Sequence, residues 1–107
     1  MNEMVLIKME YKIDKDKVDE YSKFVKEESL PYWLAVDGFK EMRGYREVGT
    51  GWVLVEMDFD SCEAWGKVQD SQKCKEIMNK TARYTNNASL RIYETSPFTP
   101  EPLKPIR

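Results

Sequence analysis

Hydrophobic and polar residues alternate near the start of the chain, over residues 4–13 (MVLIKMEYKI). Because successive side chains of a β-strand point to opposite faces, this segment predicts a strand with one buried face. Asp14 follows at the position expected for a helix N-cap. Beyond it, apolar residues recur with the spacing of an amphipathic helix, at Val18, Tyr21, Phe24 and Val25. Proline lacks the backbone N–H that a helix interior needs, so we expect Pro31 to stop this helix or to begin a short extra turn.

Two strand-like runs, residues 39–48 and 52–59, flank Gly49-Thr50-Gly51 and predict a β-hairpin, since glycine tolerates the positive φ of tight turns. A loop with an even number of residues pairs Arg43 with Glu56 and keeps the apolar residues of both runs on the other face. An odd loop would place charged residues among those apolar side chains. Burying so many charges would cost too much free energy, so we predict the even register.

The second half of the chain begins with residues 60–63 (DSCE), which resemble a capping box with Asp60 in place of Ser or Thr. A helical region to about residue 82 is predicted from there, with Gly66 and residues 70–71 as candidate breaks. Residues 84–87 (YTNN) predict a loop, and the alternation in residues 88–95 predicts a final strand.

The predicted order, β-α-β-β-α-β, indicates an α+β, ferredoxin-like fold: a four-stranded antiparallel sheet with two helices on one face. Right-handed crossovers place the first and third strands in the centre. We assign residues 1–95 to this single domain and residues 96–107, which hold four of the five prolines, to an extended C-terminal arm. The side chains predicted to face the helices are Val5, Ile7, Met9, Tyr11, Met42, Val48, Val53, Val55, Met57, Phe59, Leu90 and Ile92.

The opposite face of the predicted sheet mixes aromatic with charged side chains. It would carry Lys8, Glu10, Arg43, Tyr45, Trp52, Leu54, Glu56, Arg91 and Tyr93. Aromatic residues in such a setting are not expected on a surface meant only for water. A small two-layer domain can cover this face with a second copy, and two facing sheets enclose a space. We therefore expect a homodimer formed through the sheet faces, with the proline-rich arm available to wrap the partner.

Composition narrows the classes of function. The chain has 107 residues, a net charge of −2 and no histidine, which removes Ser-His-Asp and Cys-His dyads, histidine-ligated zinc and a proximal histidine for haem. A pI near 5.3 without a basic block argues against nucleic acid as a partner. No apolar run spans a membrane, and residues 1–4 do not resemble a secretory signal. We expect a cytoplasmic protein in which Cys62 and Cys74 stay reduced.

Several short motifs carry a resemblance to a known group of proteins. They are residues 37–39 (DGF), 51–57 (GWVLVEM) and 60–65 (DSCEAW), then Asp70-Ser71 followed by Lys75-Glu76. Over roughly residues 4–95 the chain resembles the dimeric α/β-barrel superfamily, and within it the small antibiotic-biosynthesis-monooxygenase-like proteins. That group includes cofactor-independent oxygenases of aromatic polyketides, haem-degrading enzymes and stress-response dimers.

The resemblance also bears on cofactors and on one tryptophan. Haem-degrading members carry an iron-ligating histidine on the second helix, at a position that falls near Met78 here, and an asparagine on the first strand that this chain lacks. We therefore expect no cofactor and no metal. Trp65 matches the helix tryptophan of the group, which makes it a candidate ligand-binding residue as well as a candidate core residue.

The remaining candidate site residues lie on the mixed face. Without histidine, a proton-abstracting base would be a carboxylate or a tyrosine, and we predict Glu10 and Glu56, with Asp58 as a further candidate. The predicted ligand-binding residues there are Arg43, Tyr45, Trp52, Arg91 and Tyr93. The expected function is binding of a small, partly aromatic organic molecule in a cavity between or beside the sheets, with cofactor-independent monooxygenation of phenols or quinols as the enzymatic version. The alternatives are a non-catalytic ligand-binding or stress-response module and a purely structural dimer.

Overall fold

The structure, a computed structural model, describes residues 4–106. Its strands are β1 (Val5–Ile13), β2 (Phe39–Arg46), β3 (Trp52–Phe59) and β4 (Thr85–Glu94). Its helices are α1 (Val18–Phe24), α2 (Leu30–Trp33), α3 (Cys62–Asp70) and α4 (Gln72–Tyr84), with a 3₁₀ turn before α1 (Lys15–Lys17). None of the helices within this range has the length and apolar character needed to cross a membrane. Residues 1–3, on which the expectation about a secretory signal partly rests, and Arg107 of the arm lie outside the described residues.

The four strands form one antiparallel sheet in the order β2-β3-β1-β4, which confirms the ferredoxin-like arrangement with the first and third strands in the centre. The hairpin has the predicted even register, with Arg43 opposite Glu56 and Tyr45 opposite Leu54. Glu47 closes the loop through a backbone hydrogen bond of 2.8 Å from its N–H to the carbonyl of Trp52. This register keeps Arg43, Glu56 and Asp58 off the face that packs against the helices.

The first helical segment continues past the position where proline was expected to disturb it. A π-helical turn (Val25–Ser29) joins α1 to α2, and the N–H of Leu30 donates to the carbonyl of Val25, five residues back. A regular α-helix would have needed an N–H at Pro31 and would have brought the proline ring against the carbonyl four residues earlier. The wider turn accommodates the proline, so α2 begins as the short extra turn that the sequence predicted.

Several predicted boundaries were wrong. Ser61 rather than Asp60 caps α3, since its Oγ accepts from the N–H of Ala64 at 3.0 Å. Asp14 does occupy the predicted N-cap position before the first helical turn, but its carboxylate makes no cap bond and instead accepts from Asn86 and pairs with Lys17. Gly66 does not interrupt α3.

The predicted loop over residues 84–87 does not exist, because α4 ends at Tyr84 and β4 begins at Thr85. The buried Thr85 supports this direct junction by donating its hydroxyl to the carbonyl of Thr81 at 3.0 Å. The break between α3 and α4 falls at Ser71, as predicted, and Ser71 caps α4 by accepting from the N–H of Cys74 at 3.1 Å.

The core fills the space between the helices and one face of the sheet. Its buried members are Val5, Ile7, Phe24, Trp33, Met57, Phe59, Trp65, Val68, Cys74 and Ile77. Three residues predicted for this layer do not pack in it, namely Val48, Val53 and Ile92. Val48 is 96% exposed because β2 ends at Arg46 and leaves it at the tip of the hairpin. Ile92 is 47% exposed because it lies on β4, an edge strand.

Candidate functional site

The strand registers bring nearly all the candidate residues to the side of the sheet away from the helices, which we call the polar face. Arg43, Glu56, Lys8 and Arg91 lie side by side in one row across all four strands. The next row contains Tyr45, Leu54, Glu10 and Ser89. Trp52 and Lys12 form part of a third row, and Tyr93, Leu6, Asp58 and Glu41 form the row at the other end.

Arg43 is held by carboxylates of its own chain. Its Nε donates to Glu56 at 3.2 Å, and its two terminal nitrogens donate to the two oxygens of Asp58 at 3.1 Å each. A further bond of 2.6 Å joins it to Glu41. These hydrogen bonds, that to Asp58 above all, raise the pKa of Arg43.

The sequence predicted the pair of Arg43 with Glu56 but not the forked pair with Asp58. Asp58 lies two residues after Glu56, so the sequence already indicated that both carboxylates are on the same face of the strand. The contribution of Glu41 could also have been found, since the even register that pairs Arg43 with Glu56 sets Glu41 opposite Asp58 as well. The guanidinium of Arg43 is therefore occupied within the protomer and has few donors left for a ligand.

Three predicted site residues share a hollow at the hairpin end of the polar face. This sheet-face hollow has a volume of 310 Å³ and is lined by Lys8, Glu10, Tyr45, Arg46, Glu47, Trp52, Val53 and Leu54. Lys8 pairs with Glu10 at 2.9 Å, and this hydrogen bond raises the pKa of Lys8. Lys12 lies over the ring of Trp52 at 5.2 Å. The hollow thus combines aromatic surface with charges of both signs.

Arg91 and Tyr93 lie on the same face but outside this hollow, on the edge strand β4. The ammonium of Lys8 is 5.9 Å from the centre of the Tyr93 ring. Lys8 is therefore the side chain that links the hollow to these two residues.

Trp65 is separated from all the other candidates, because it lies on the helix side of the sheet. It is 2% exposed, stacks on Trp33 at 6.2 Å between ring centres and meets Phe59 edge-on at 5.2 Å. Its indole Nε1 has no hydrogen-bond partner among residues 4–106. A tryptophan surrounded in this way stabilises the core and does not share a site with the polar face.

A second, smaller cavity lies between the sheet and the helices. This helix–sheet cavity has a volume of 80 Å³ and is lined by Met9, Tyr11, Tyr21, Val25, Ser29, Leu30, Trp33, Met42, Val55, Met78 and Thr81. The π-helical turn contributes Val25 and Ser29 to its wall. Met78, the position matched to the iron-ligating histidine of haem-degrading proteins, also lines it.

The polar groups of this cavity are centred on two tyrosines. The hydroxyls of Tyr11 and Tyr21 hydrogen-bond to each other, and their rings meet edge-on at 6.1 Å. Burial raises the pKa of both hydroxyls. Their hydrogen bond raises the pKa of Tyr11 further and partly offsets the rise at Tyr21. Either hydroxyl can be the donor in this bond. The sequence placed both tyrosines in the core by parity and helical spacing, but neither pattern shows that their hydroxyls meet.

Neither site has the ligands of a metal centre. Among residues 4–106, no group of three or more His, Cys, Asp or Glu side chains is arranged to hold a metal ion. The two sites differ in their chemistry. The polar face presents charged and aromatic side chains, whereas the helix–sheet cavity presents apolar side chains and a pair of hydroxyls.

Solved structures with similar folds come from several bacteria. A variant of SnoaB, a cofactor-independent oxygenase from Streptomyces nogalater, has a TM-score of 0.77 and 10% identity, covering 92% of this chain and 99% of that chain. A proposed antibiotic biosynthesis monooxygenase from Deinococcus radiodurans has a TM-score of 0.75 and 10% identity, covering 96% and 99%. A NIPSNAP family protein from Agrobacterium tumefaciens has a TM-score of 0.65 and 19% identity, covering 94% and 92%.

The sequence itself matches no family model and no curated protein. At identities of 10% to 19%, the likeness to solved structures is one of fold. The chain has the ferredoxin-like fold shared by antibiotic-biosynthesis-monooxygenase-like proteins, the group to which its motifs pointed.

Proposed function

We propose that this chain forms a homodimer through its polar faces and binds a small, partly aromatic organic molecule in the helix–sheet cavity of each protomer. The observation that supports the ligand site most strongly is the combination of an apolar wall with two converging tyrosine hydroxyls. Binding sites for small molecules are typically concave and apolar, with a few polar groups that orient the ligand.

The size of the cavity requires its walls to move when a ring enters. Its 80 Å³ is less than the roughly 150 Å³ of an apolar cavity known to accept benzene. Three methionines, Met9, Met42 and Met78, line it, and methionine is the apolar side chain that adapts most readily to a new neighbour. Displacing one of them provides the missing volume, while Trp33 supplies a flat surface for the ring.

The π-helical turn supports the same site. Such turns are rare and occur frequently at functional sites. Here the turn sets Val25 and Ser29 into the cavity wall. Its local cause is Pro31, so a single residue determines the shape of this wall.

The chemistry of the lining favours binding over catalysis in this cavity. None of its lining residues is a carboxylate, a lysine or an arginine. Tyr11, whose pKa is raised, is a poor proton acceptor near neutral pH. A non-catalytic ligand-binding module is therefore the function that this geometry supports best.

The polar face supports the homodimer. Its charges are largely paired within the protomer, as in the cluster around Arg43, and aromatic or apolar side chains such as Tyr45, Leu54 and Tyr93 lie between them. A second copy would cover these side chains while leaving few unpaired charges to bury. An interface of this kind repeats the same patch on both subunits.

A cofactor-independent monooxygenase is the second candidate function, favoured by the sheet-face hollow. Covered by a partner sheet, the hollow would hold a phenol between Trp52 and Tyr45, with Glu10 or Glu56 as the base and with Arg43, Arg91 and Tyr93 nearby. A phenol and O₂ yield a quinone and water, so the substrate itself supplies the electrons.

One experiment separates the two candidates. Phenol and a methylated quinol are titrated calorimetrically into the wild type, Met42→Phe and Glu10→Gln, and oxygen uptake is followed with an electrode. The proposal predicts binding to the wild type, loss of binding in Met42→Phe, unchanged binding in Glu10→Gln and no protein-dependent oxygen uptake. Circular dichroism checks that Met42→Phe is folded, and Met78→Phe gives a second obstruction of the same cavity. Oxygen uptake that disappears in Glu10→Gln would establish the monooxygenase instead.

A further inference from the structure

The hydroxyls of Tyr11 and Tyr21 leave one hydrogen-bond donor unused. Each hydroxyl carries one hydrogen, and their mutual bond uses one of the two. Among residues 4–106, neither hydroxyl makes a further hydrogen bond. Tyr11 is 6% exposed and Tyr21 is half-buried, so the pair has limited access to bulk water. An unused donor in an apolar wall is a position where a ligand gains a hydrogen bond.

The free hydrogen can belong to either tyrosine, because either hydroxyl can donate in their mutual bond. Both side chains line the helix–sheet cavity, Tyr11 from β1 and Tyr21 from α1, so the unused O–H is available to the cavity in both cases.

We propose that the Tyr11–Tyr21 pair selects a neutral aryl carbonyl compound, an aromatic ketone or aldehyde of one ring, whose oxygen accepts a hydrogen bond from the O–H that the mutual bond of the pair leaves free. This inference rests on the proposed function of the helix–sheet cavity and names the class of its ligand. A carbonyl oxygen accepts and cannot donate, which complements a pair that has one donor to offer. The apolar walls and Trp33 then surround the ring.

The same wall disfavours an anion. No lysine or arginine lines the cavity, and Lys8 and Arg43 lie on the opposite side of the sheet. A carboxylate would lose its hydration for a single hydrogen bond, which cannot compensate for burying a charge. Benzoate is therefore excluded where acetophenone binds.

The test compares ligands of equal shape. Acetophenone has a carbonyl oxygen where α-methylstyrene has a methylene group, and the two are otherwise alike. Benzoate serves as the anionic compound. Each is titrated into the wild type, the single variants Tyr11→Phe and Tyr21→Phe, the double variant that carries both changes, and Tyr84→Phe. Tyr84→Phe is the matched control, because Tyr84 packs against Tyr21 at 6.3 Å between ring centres but does not line the cavity.

We expect acetophenone to bind the wild type about three- to tenfold more tightly than α-methylstyrene, the range that one net hydrogen bond produces. The preference should disappear in the double variant and persist in Tyr84→Phe. Each single variant should retain a preference, because the remaining tyrosine keeps its O–H. Equal affinity of the two compounds for the wild type, or binding of benzoate, would overturn the inference while leaving the cavity a ligand site. Failure of both neutral compounds to bind would overturn the proposed function as well.

Discussion

Gly38 joins the end of the first helical segment to β2 at a point where no side chain fits. Its φ is +85°, and a Cβ placed on it would lie 2.7 Å from the Cβ of Ala64 in α3. Gly49 in the hairpin has nearly the same φ, +86°, but open space around it. A side chain at either position would have to adopt a left-handed backbone, but only a side chain at Gly38 would also collide with α3. Comparing substitutions at the two positions therefore separates these two energetic costs.

We expect Gly38→Ala to destabilise the protein by about 2–4 kcal/mol and Gly49→Ala by about 1 kcal/mol, since both variants force alanine into the left-handed φ and only the first also overpacks α3. Urea denaturation of the two variants measures the difference. Equal losses would mean that α3 shifts away from Gly38 at no cost.

The tyrosine pair makes stability depend on alkaline pH. Because the pKa of Tyr11 and of Tyr21 is raised in the folded protein, the unfolded chain releases these protons first as the pH rises above about 10. The stability that the pair contributes is therefore complete below about pH 10 and lost above it, with a limiting slope of about 1.4 kcal/mol per pH unit for each such group.

Urea denaturation at intervals from about pH 8 to about 11.5 tests this dependence. Tyr11→Phe should lose less stability than the wild type over the alkaline part of the range, whereas the control Tyr45→Phe, at an exposed position, should follow the wild type. If the unfolding free energies of the wild type and Tyr11→Phe fell in parallel with rising pH, Tyr11 would not be a source of the alkaline dependence.

At the scale of single residues, the sequence predicted the face on which a side chain lies better than it predicted the side chains that it contacts. Parity placed Tyr11 on the buried side of β1, and helical spacing placed Tyr21 on the inner side of α1. Their hydrogen bond depends on how far the helix lies along the strand, which neither periodicity determines. The motif containing Trp65 supported both a ligand role and a core role, and the structure places this residue in the core.

At the scale of elements, the hairpin register was predictable because a shift by one residue would have exchanged every side chain between the faces. The π-helical turn was not, since a proline in a helical pattern is compatible with a stop, a kink or a wider turn. The direct junction at Tyr84 and Thr85 was missed because the asparagines of residues 86–87 are typical of a loop, while the structure places them at the start of β4.

The carboxylate cluster around Arg43 connects β2 to β3. Arg43→Met should destabilise the protein by about 1–2 kcal/mol, because Glu41, Glu56 and Asp58 would remain close together without their cation. Arg46→Met is the control on the same strand, since Arg46 makes no ion pair within residues 4–106. Thermal unfolding at low and high salt compares them. A loss for Arg43→Met no larger than the control's would show that the cluster contributes little.

At the scale of the whole molecule, the proposed homodimer makes the polar face an interior surface. Sedimentation equilibrium should show a particle of twice 12.6 kDa for the wild type. Leu54→Glu, at the centre of the face, should shift the mass to that of the single chain, because it introduces an unpaired charge into the interface. Val48→Glu, at the 96% exposed hairpin tip, should remain dimeric. A wild type that sediments at 12.6 kDa at micromolar concentration would contradict the dimer.

The most direct test of the proposed ligand site is a crystal structure of the protein with 4-bromoacetophenone, in which anomalous scattering locates the bromine. We expect the bromine peak inside each protomer, between Met42 and Trp33, with the carbonyl oxygen within hydrogen-bond distance of the Tyr11 or the Tyr21 hydroxyl. A peak on the polar face beside Glu10 and Trp52 would assign the ligand to the sheet-face hollow and contradict binding between the sheet and the helices.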